Sequence, residues 1–144
     1  MIQARMIGRD QVTLGILAGG RASRLGGVDK ALVEYRGRRL LERTLEMAGD
    51  GYIARLVSHP GERGLFHELG LITVPDLRPD FPGPLAGIEA LLARCTSPWL
   101  LTLPVDIFDF PPNLCEQLLA ANAGHGAFVR DREGLQPLVC LWPV

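Results

Sequence analysis

The chain is predicted to be an α/β protein: a three-layer, Rossmann-like arrangement with a mostly parallel sheet and helices on both faces. Three observations lead there. Short apolar runs bounded by glycine and proline alternate with stretches whose apolar residues recur at helical spacing. The runs are apolar almost throughout, as strands covered on both faces are. No repeat or low-complexity tract interrupts the alternation.

Taken in order, Val12 to Leu17 reads as a buried strand, short, apolar and ended by glycines. A glycine-rich loop follows, then an extended piece from Ala31 to Tyr35, turned by Arg36-Gly37-Arg38. Leu40, Leu41, Thr44, Leu45 and Ala48 recur at helical spacing, and Gly49 supplies a stop. Ile53 to Ser58 is the next strand, Glu62 to Leu69 a short helix ended by Gly70, and Leu71 to Val74 a third strand. The proline-dense "PDLRPDFPGP" must be loop, and a helix over Leu85 to Ala93 follows it. Trp99 to Leu103 is a strand cut off by Pro104, and Pro111-Pro112 opens a helix over Asn113 to Ala121. Ala127 to Arg130 and Leu138 to Trp142 are late strands around a polar turn at Asp131 to Gly134.

Composition narrows the functional classes. At 144 residues, 47% hydrophobic and 22% charged, the chain suits one globular domain that needs no staples. A net charge of −1 argues against a general nucleic-acid binder, so any basic site is local. Cys95, Cys115 and Cys140 form no CxxC pair, and His59, His67 and His125 stand at no ligand spacing; buried free thiols in a reducing compartment are expected. No run approaches the roughly 20 apolar residues of a membrane span, and Met1 to Gln11 lacks the apolar core of a secretory signal. The expected location is the cytoplasm, without a membrane partner.

Three segments fall at the carboxyl ends of predicted strands, where open α/β sheets bind ligands. The first is "LAGGRASRLGGVDKALVEY", Leu17 to Tyr35, rich in glycine and bearing Arg21, Arg24 and Lys30. It matches neither GxxxxGK[ST] nor GxGxxG. Glycines let backbone N–H groups approach an anion, and the three cations can neutralise phosphate charge; the alternative is a mobile loop with solvated arginines. The second is "LTLPVDIFDFP", where Asp106 stands just past an apolar strand. A carboxylate there can hold Mg²⁺, with Asp109 a weaker candidate, or else cap a turn. The third, "PDLRPDFPGPLAG", offers Asp76 and Asp80 as acceptors for a sugar or base, and Ser58 adds a hydroxyl at the same edge. Solvated acids in a structural connection are the alternative there.

Together these stretches resemble the nucleotidyltransferases that begin with a glycine-rich LAGGxSxRxG…DK signature. "GGVDKAL", "FPGPLAG" and "LPVD" most resemble the molybdenum cofactor guanylyltransferases, over about Val12 to Leu141. The resemblance implies a sheet of the nucleotide-diphospho-sugar transferase type and Mg²⁺-dependent transfer of GMP from GTP to the phosphate of molybdopterin. It implies that Leu17, Ala18 and Gly19 contact base and ribose, that Gly20 lies along the phosphates, and that Arg24 and Lys30 stabilise charge on the α-phosphate and departing pyrophosphate. Ser58 and Asp76 would belong to the nucleotide pocket, and Asp106 would carry the metal. Ser58 stands where these enzymes tend to have asparagine, and Ile107 where a smaller residue is usual. Family members usually continue past the "QPLVCLW" strand, so residues 1–144 are expected to be one nucleotidyltransferase domain lacking the usual C-terminal elements. Molybdoenzymes or cofactor-delivery proteins are further expected partners. A cytidylyltransferase, a sugar or alcohol-phosphate nucleotidyltransferase, and a non-catalytic nucleotide-binding domain are the rival readings.

Overall fold

A computed structural model describes residues 6–19, 28–78, 80 and 83–144. Gly20, Arg21 and Arg24, singled out above, lie outside the described residues.

The first strand, β1 (Val12–Leu17), is buried along its whole length. A single 3-10 turn, Lys30–Leu32, replaces the first half of the extended piece expected from Ala31. The reason is local: the Asp29 carboxylate accepts the Ala31 N–H at 3.1 Å and caps a turn there. What remains extended is a small hairpin, β2 (Glu34–Tyr35) and β3 (Arg38–Arg39), turned through Arg36 and Gly37 as expected. Helix α1 (Leu40–Ala48) follows at once, buries Leu40, Leu41, Thr44, Leu45 and Ala48, and ends at Gly49.

Then come β4 (Ala54–Ser58), α2 (Gly64–Glu68) and β5 (Ile72–Val74). Helix α2 is shorter than expected, because only Phe66 of this stretch is fully buried to anchor it. Helix α3 (Pro84–Arg94) begins on proline in its first turn, where no intrahelical N–H is missed. Strand β6 (Trp99–Pro104), α4 (Leu114–Ala121), β7 (Ala127–Asp131) and β8 (Gly134–Pro143) complete the chain. Strand β8 starts four residues before the predicted Leu138, because Leu135 and Gln136 pair with Arg130 and Val129 of β7. Pro137 cannot donate to a ladder, and the pairing jogs between Phe128 and Val129 to pass it.

The six main strands lie in the order β5-β4-β1-β6-β8-β7. The first four are mutually parallel, while β8 runs antiparallel to both neighbours. Side chains alternate between two cores. Val12, Leu14, Ile16, Val57 and Leu101 join Leu41 and Leu45 of α1, Phe66 of α2 and Leu118 of α4 on one face. Leu17, Leu56 and Leu100 join Ile88 and Leu91 of α3 on the other. That is why the strands read as apolar throughout: each side chain of a central parallel strand meets a helix. Each such leucine or isoleucine contributes roughly 1.5–3 kcal/mol on burial, so the two faces carry the stability and the strand ends are left for chemistry.

Candidate active site

At the carboxyl ends of β4, β1 and β6 the backbones are tied together. Ala18 N–H donates to Ser58 O at 3.2 Å, and Val105 N–H donates to Leu17 O at 3.1 Å. Above this floor opens a cavity of about 360 Å³. Leu17, Ala18 and Gly19 line it from the end of β1, and Pro104, Val105 and Asp106 from the end of β6. Lys30, Leu138 and the Gly83-Pro84 start of α3 close the remaining sides.

Two glycines make this possible. Gly83 has φ of +108°, a conformation that a side chain would strain, and it turns the chain into α3 at the cavity edge. Gly87 lets the first turns of α3 lie directly on the strand ends. A Cβ there would stand 2.7 Å from Ser58 Oγ and 3.1 Å from Leu17 Cδ2.

Asp106 owes its position to its predecessor. Val105 is buried, its N–H bound to Leu17 O and its carbonyl accepting from the buried Thr44 hydroxyl of α1 at 3.1 Å. Its backbone therefore cannot drift, and the Asp106 side chain projects from a fixed point. Lys30 Nζ meets Asp106 Oδ2 at 3.2 Å across the cavity mouth. Both side chains are 47% exposed. An ion pair so solvated is worth about 0–1 kcal/mol and opens readily. Lys30 is also the single lysine of the chain.

Ser58 and Asp76 stand beside the cavity rather than in its lining. The buried Ser58 hydroxyl donates to Asp76 Oδ1 at the long limit of 3.5 Å. Partial desolvation raises the Asp76 carboxyl above its ordinary range, and the Ser58 hydrogen bond pulls it back. Asp109, the weaker metal candidate, lines a second cavity of about 630 Å³, with Asp131, Glu133 and Gln136. This cavity adjoins the first: Pro104, Asp106 and Leu138 belong to both. Arg24 and Gly20 lie outside the described residues, so of the expected cations Lys30 is the one seen at the site.

Asp106 presents a hard carboxylate oxygen at the mouth of the first cavity. Among the described residues no three His, Cys, Asp or Glu side chains gather as a metal cage. One carboxylate that shares its ion with substrate phosphates and water is the donor set Mg²⁺ accepts, so these residues fit that ion.

Residues 14–144 match the MobA-like NTP transferase domain. The chain belongs to this family. It is 39% identical to a molybdenum cofactor guanylyltransferase of Bordetella pertussis, over 94% of this chain and 73% of that protein. It is 37% identical to the enzyme of that name from Cupriavidus pinatubonensis, over 96% of this chain and 74% of that protein. The fold is similar to that of molybdopterin-guanine dinucleotide biosynthesis protein A from Archaeoglobus fulgidus. That comparison has a TM-score of 0.67 at 23% identity and covers 91% of this chain and 67% of the other. The protein is thus a nucleotidyltransferase with a mostly parallel α/β sheet, as the resemblance implies.

Sequence reasoning missed three residues in or around this site. Thr44 was visible only as a core position of α1, although a buried threonine always asks for an acceptor. Leu138 comes from a distant strand and carries no local signal. His59, one of three histidines at no ligand spacing, is buried and bonded to Asp29 Oδ2 at 2.8 Å. Among the described residues no helix is long and apolar enough to cross a membrane, and the three cysteines are buried and unpaired.

Proposed function

We propose that this nucleotidyltransferase moves GMP from GTP to the terminal phosphate of molybdopterin, with release of pyrophosphate. The observation that carries the reading is the Lys30–Asp106 pair at the mouth of a cavity on the carboxyl ends of β1 and β6. The names of the relatives supply the two substrates. An oxygen of the acceptor phosphate attacks the α-phosphorus of GTP, and the bond to the bridging oxygen breaks. Pyrophosphate leaves with that electron pair. The nucleophile is already anionic, so no side chain need take a proton from it.

In this reading Leu17, Ala18 and Gly19 hold the nucleoside, while Ser58 and Asp76 shape the pocket behind them. Gly20 and Arg24 belong to the phosphate-binding loop. Lys30 exchanges Asp106 for phosphate oxygens and offsets the charge that builds on the α-phosphate and the leaving group. Asp106, freed from Lys30, holds Mg²⁺. When bound, the ion supplies charge neutralisation and a template for phosphate oxygens. The second cavity shares Asp106 with the first, and in this reading it receives the acceptor. The cytoplasm, where GTP is abundant, is the matching location, and molybdoenzymes or cofactor-delivery proteins are the onward recipients.

Calorimetric titration with GTP, CTP and ATP, each with and without Mg²⁺, tests the nucleotide assignment. Tighter binding of GTP that depends on Mg²⁺ is expected, and preference for CTP changes the product while keeping the chemistry. Release of pyrophosphate on adding molybdopterin separates an enzyme from a binding domain. Tight GTP binding without that release overturns the proposal.

A further inference from the structure

His59 follows β4 directly and is not in the lining of the cavity. Its backbone N–H donates to Val74 O at 3.1 Å, which ties the residue to the end of β5. Its ring packs edge-on against the fully buried Phe66, with centroids 4.9 Å apart. An imidazole held at both ends in this way has little freedom to turn.

The ring nitrogens have unequal tasks. Nε2 faces Asp29 Oδ2 at 2.8 Å, and a carboxylate can only accept, so Nε2 carries a proton and donates. Nδ1 lies 2.7 Å from Gly61 O and 3.1 Å from Gly61 N. It can accept from that N–H when the ring is neutral, or donate to that carbonyl when the ring is charged. In either state the bond to Asp29 is kept.

Asp29 passes this constraint on. Its Oδ2 also meets Arg63 Nε at 3.5 Å, while Oδ1 accepts the Ala31 N–H at 3.1 Å and starts the turn Lys30–Leu32. Lys30 is the next residue. Its long side chain leaves the backbone at a point fixed by the Asp29 carboxylate and reaches Asp106. We infer that His59 is a positioning residue: through Asp29 it sets the origin of the Lys30 side chain, and so the placing of the ammonium at the cavity mouth. The inference rests on the role proposed above for Lys30. A misplacement of about 1 Å at a charge-stabilising group can cost on the order of 10²-fold in rate, so a clamp on its backbone matters even from outside the cavity.

The test compares His59→Phe, which keeps the ring and its contact with Phe66 but removes the donor, with His59→Gln, whose amide can still donate to Asp29. Each is made alone and with Lys30→Ala. For His59→Phe, kcat for pyrophosphate release is expected to fall about 10-fold, with KM for GTP changed less than about twofold. His59→Gln should recover most of that loss, and His59→Phe should add nothing to Lys30→Ala. Wild-type rate in His59→Phe, failure of Gln to rescue, or losses that multiply with Lys30→Ala each overturn the inference. If His59→Phe does not fold, His59→Asn replaces it, because its amide is too short to reach Asp29.

A readout without turnover keeps this separate from the proposed reaction. Reductive ¹³C-methylation labels Nζ of the single lysine, Lys30, besides the α-amine. The Lys30 resonance should match between wild type and His59→Gln and move toward the unfolded-chain position in His59→Phe. An unmoved resonance in His59→Phe overturns the inference even if the protein transfers nothing. If the resonance moves but the wild type transfers no nucleotide, the proposed reaction is what fails.

Discussion

Two cations, at opposite ends of β1, are treated in opposite ways by the fold. Arg9, just before the strand, makes five hydrogen bonds: two to the Glu116 carboxylate and three to the carbonyls of Ala48, Asp50 and Pro112. Its guanidinium also lies over the Tyr52 ring, 5.1 Å from the centroid. Lys30, beyond the other end, makes a single bond to Asp106, with both partners half exposed. An ammonium has three donors, and two of them find no partner among the described residues. The contrast separates structure from function more clearly than charge or sequence spacing does. A cation saturated by backbone carbonyls closes the fold; one with spare donors at a cavity is set for an anion from outside.

The comparison breaks first at the open end. Asp106→Ala and Lys30→Ala should each lower turnover by roughly 10²-fold or more, the scale for losing one charge-stabilising group. Their melting temperatures should stay close to wild type, because the pair contributes no more than about 1 kcal/mol. Pyrophosphate-release kinetics beside a thermal melt reads both. Near-normal turnover in Asp106→Ala defeats the metal assignment, and an unchanged rate in Lys30→Ala moves the phosphate site elsewhere.

At the closed end the outcome should be reversed. Arg9→Ala removes the donor of the Asp50 and Pro112 carbonyls and of the Glu116 carboxylate, and leaves the Ala48 carbonyl with the Tyr52 hydroxyl alone, where α1, the start of α4 and the lead into β1 meet. Partial solvent access limits the cost to about 2–3 kcal/mol. A lower urea midpoint with wild-type turnover at low temperature is the expected result. A variant as stable as wild type would show that the carbonyls find water at no cost, and that the node is ornament rather than closure.

The two ends also differ in how far the sequence discloses them. The strands were legible because a central parallel strand is apolar on both faces, and Val12 to Leu17 needs no tertiary knowledge to be seen. Lys30 and Asp106 were legible because each belongs to a short local pattern, a glycine-rich loop and an apolar strand stopped by proline. Arg9 was not, since its partners Ala48, Pro112 and Glu116 lie 39 to 107 residues away. The same holds for His59, whose partner Asp29 is 30 residues earlier. The start of β8 departs from the expected Leu138 for another reason: Pro137 cannot donate to a ladder, and only the pairing with β7 shows how the ladder jogs past it.

The smallest expected effect follows from pH. The hydrogen bond from Arg9 holds the Glu116 carboxyl below its ordinary value, against a smaller opposing effect of burial. The unfolded chain therefore binds the proton more tightly than the folded one does. The stability this pair supplies is present above about pH 4.3, the ordinary glutamate value, and is lost as pH falls through the depressed folded value. Asp76 has the opposite sign, because desolvation beside the cavity raises it. Its contribution is present at low pH and is lost as pH rises through the raised folded value. Urea midpoints between pH 3 and 7 should thus change less on acidification in Glu116→Gln than in wild type. Asp76→Asn should fall more steeply, since it lacks the carboxyl that gains by protonation. Equal slopes in all three proteins would mean that neither carboxyl is shifted in the folded state, and that the two ends differ in their hydrogen bonds but not in how they hold charge.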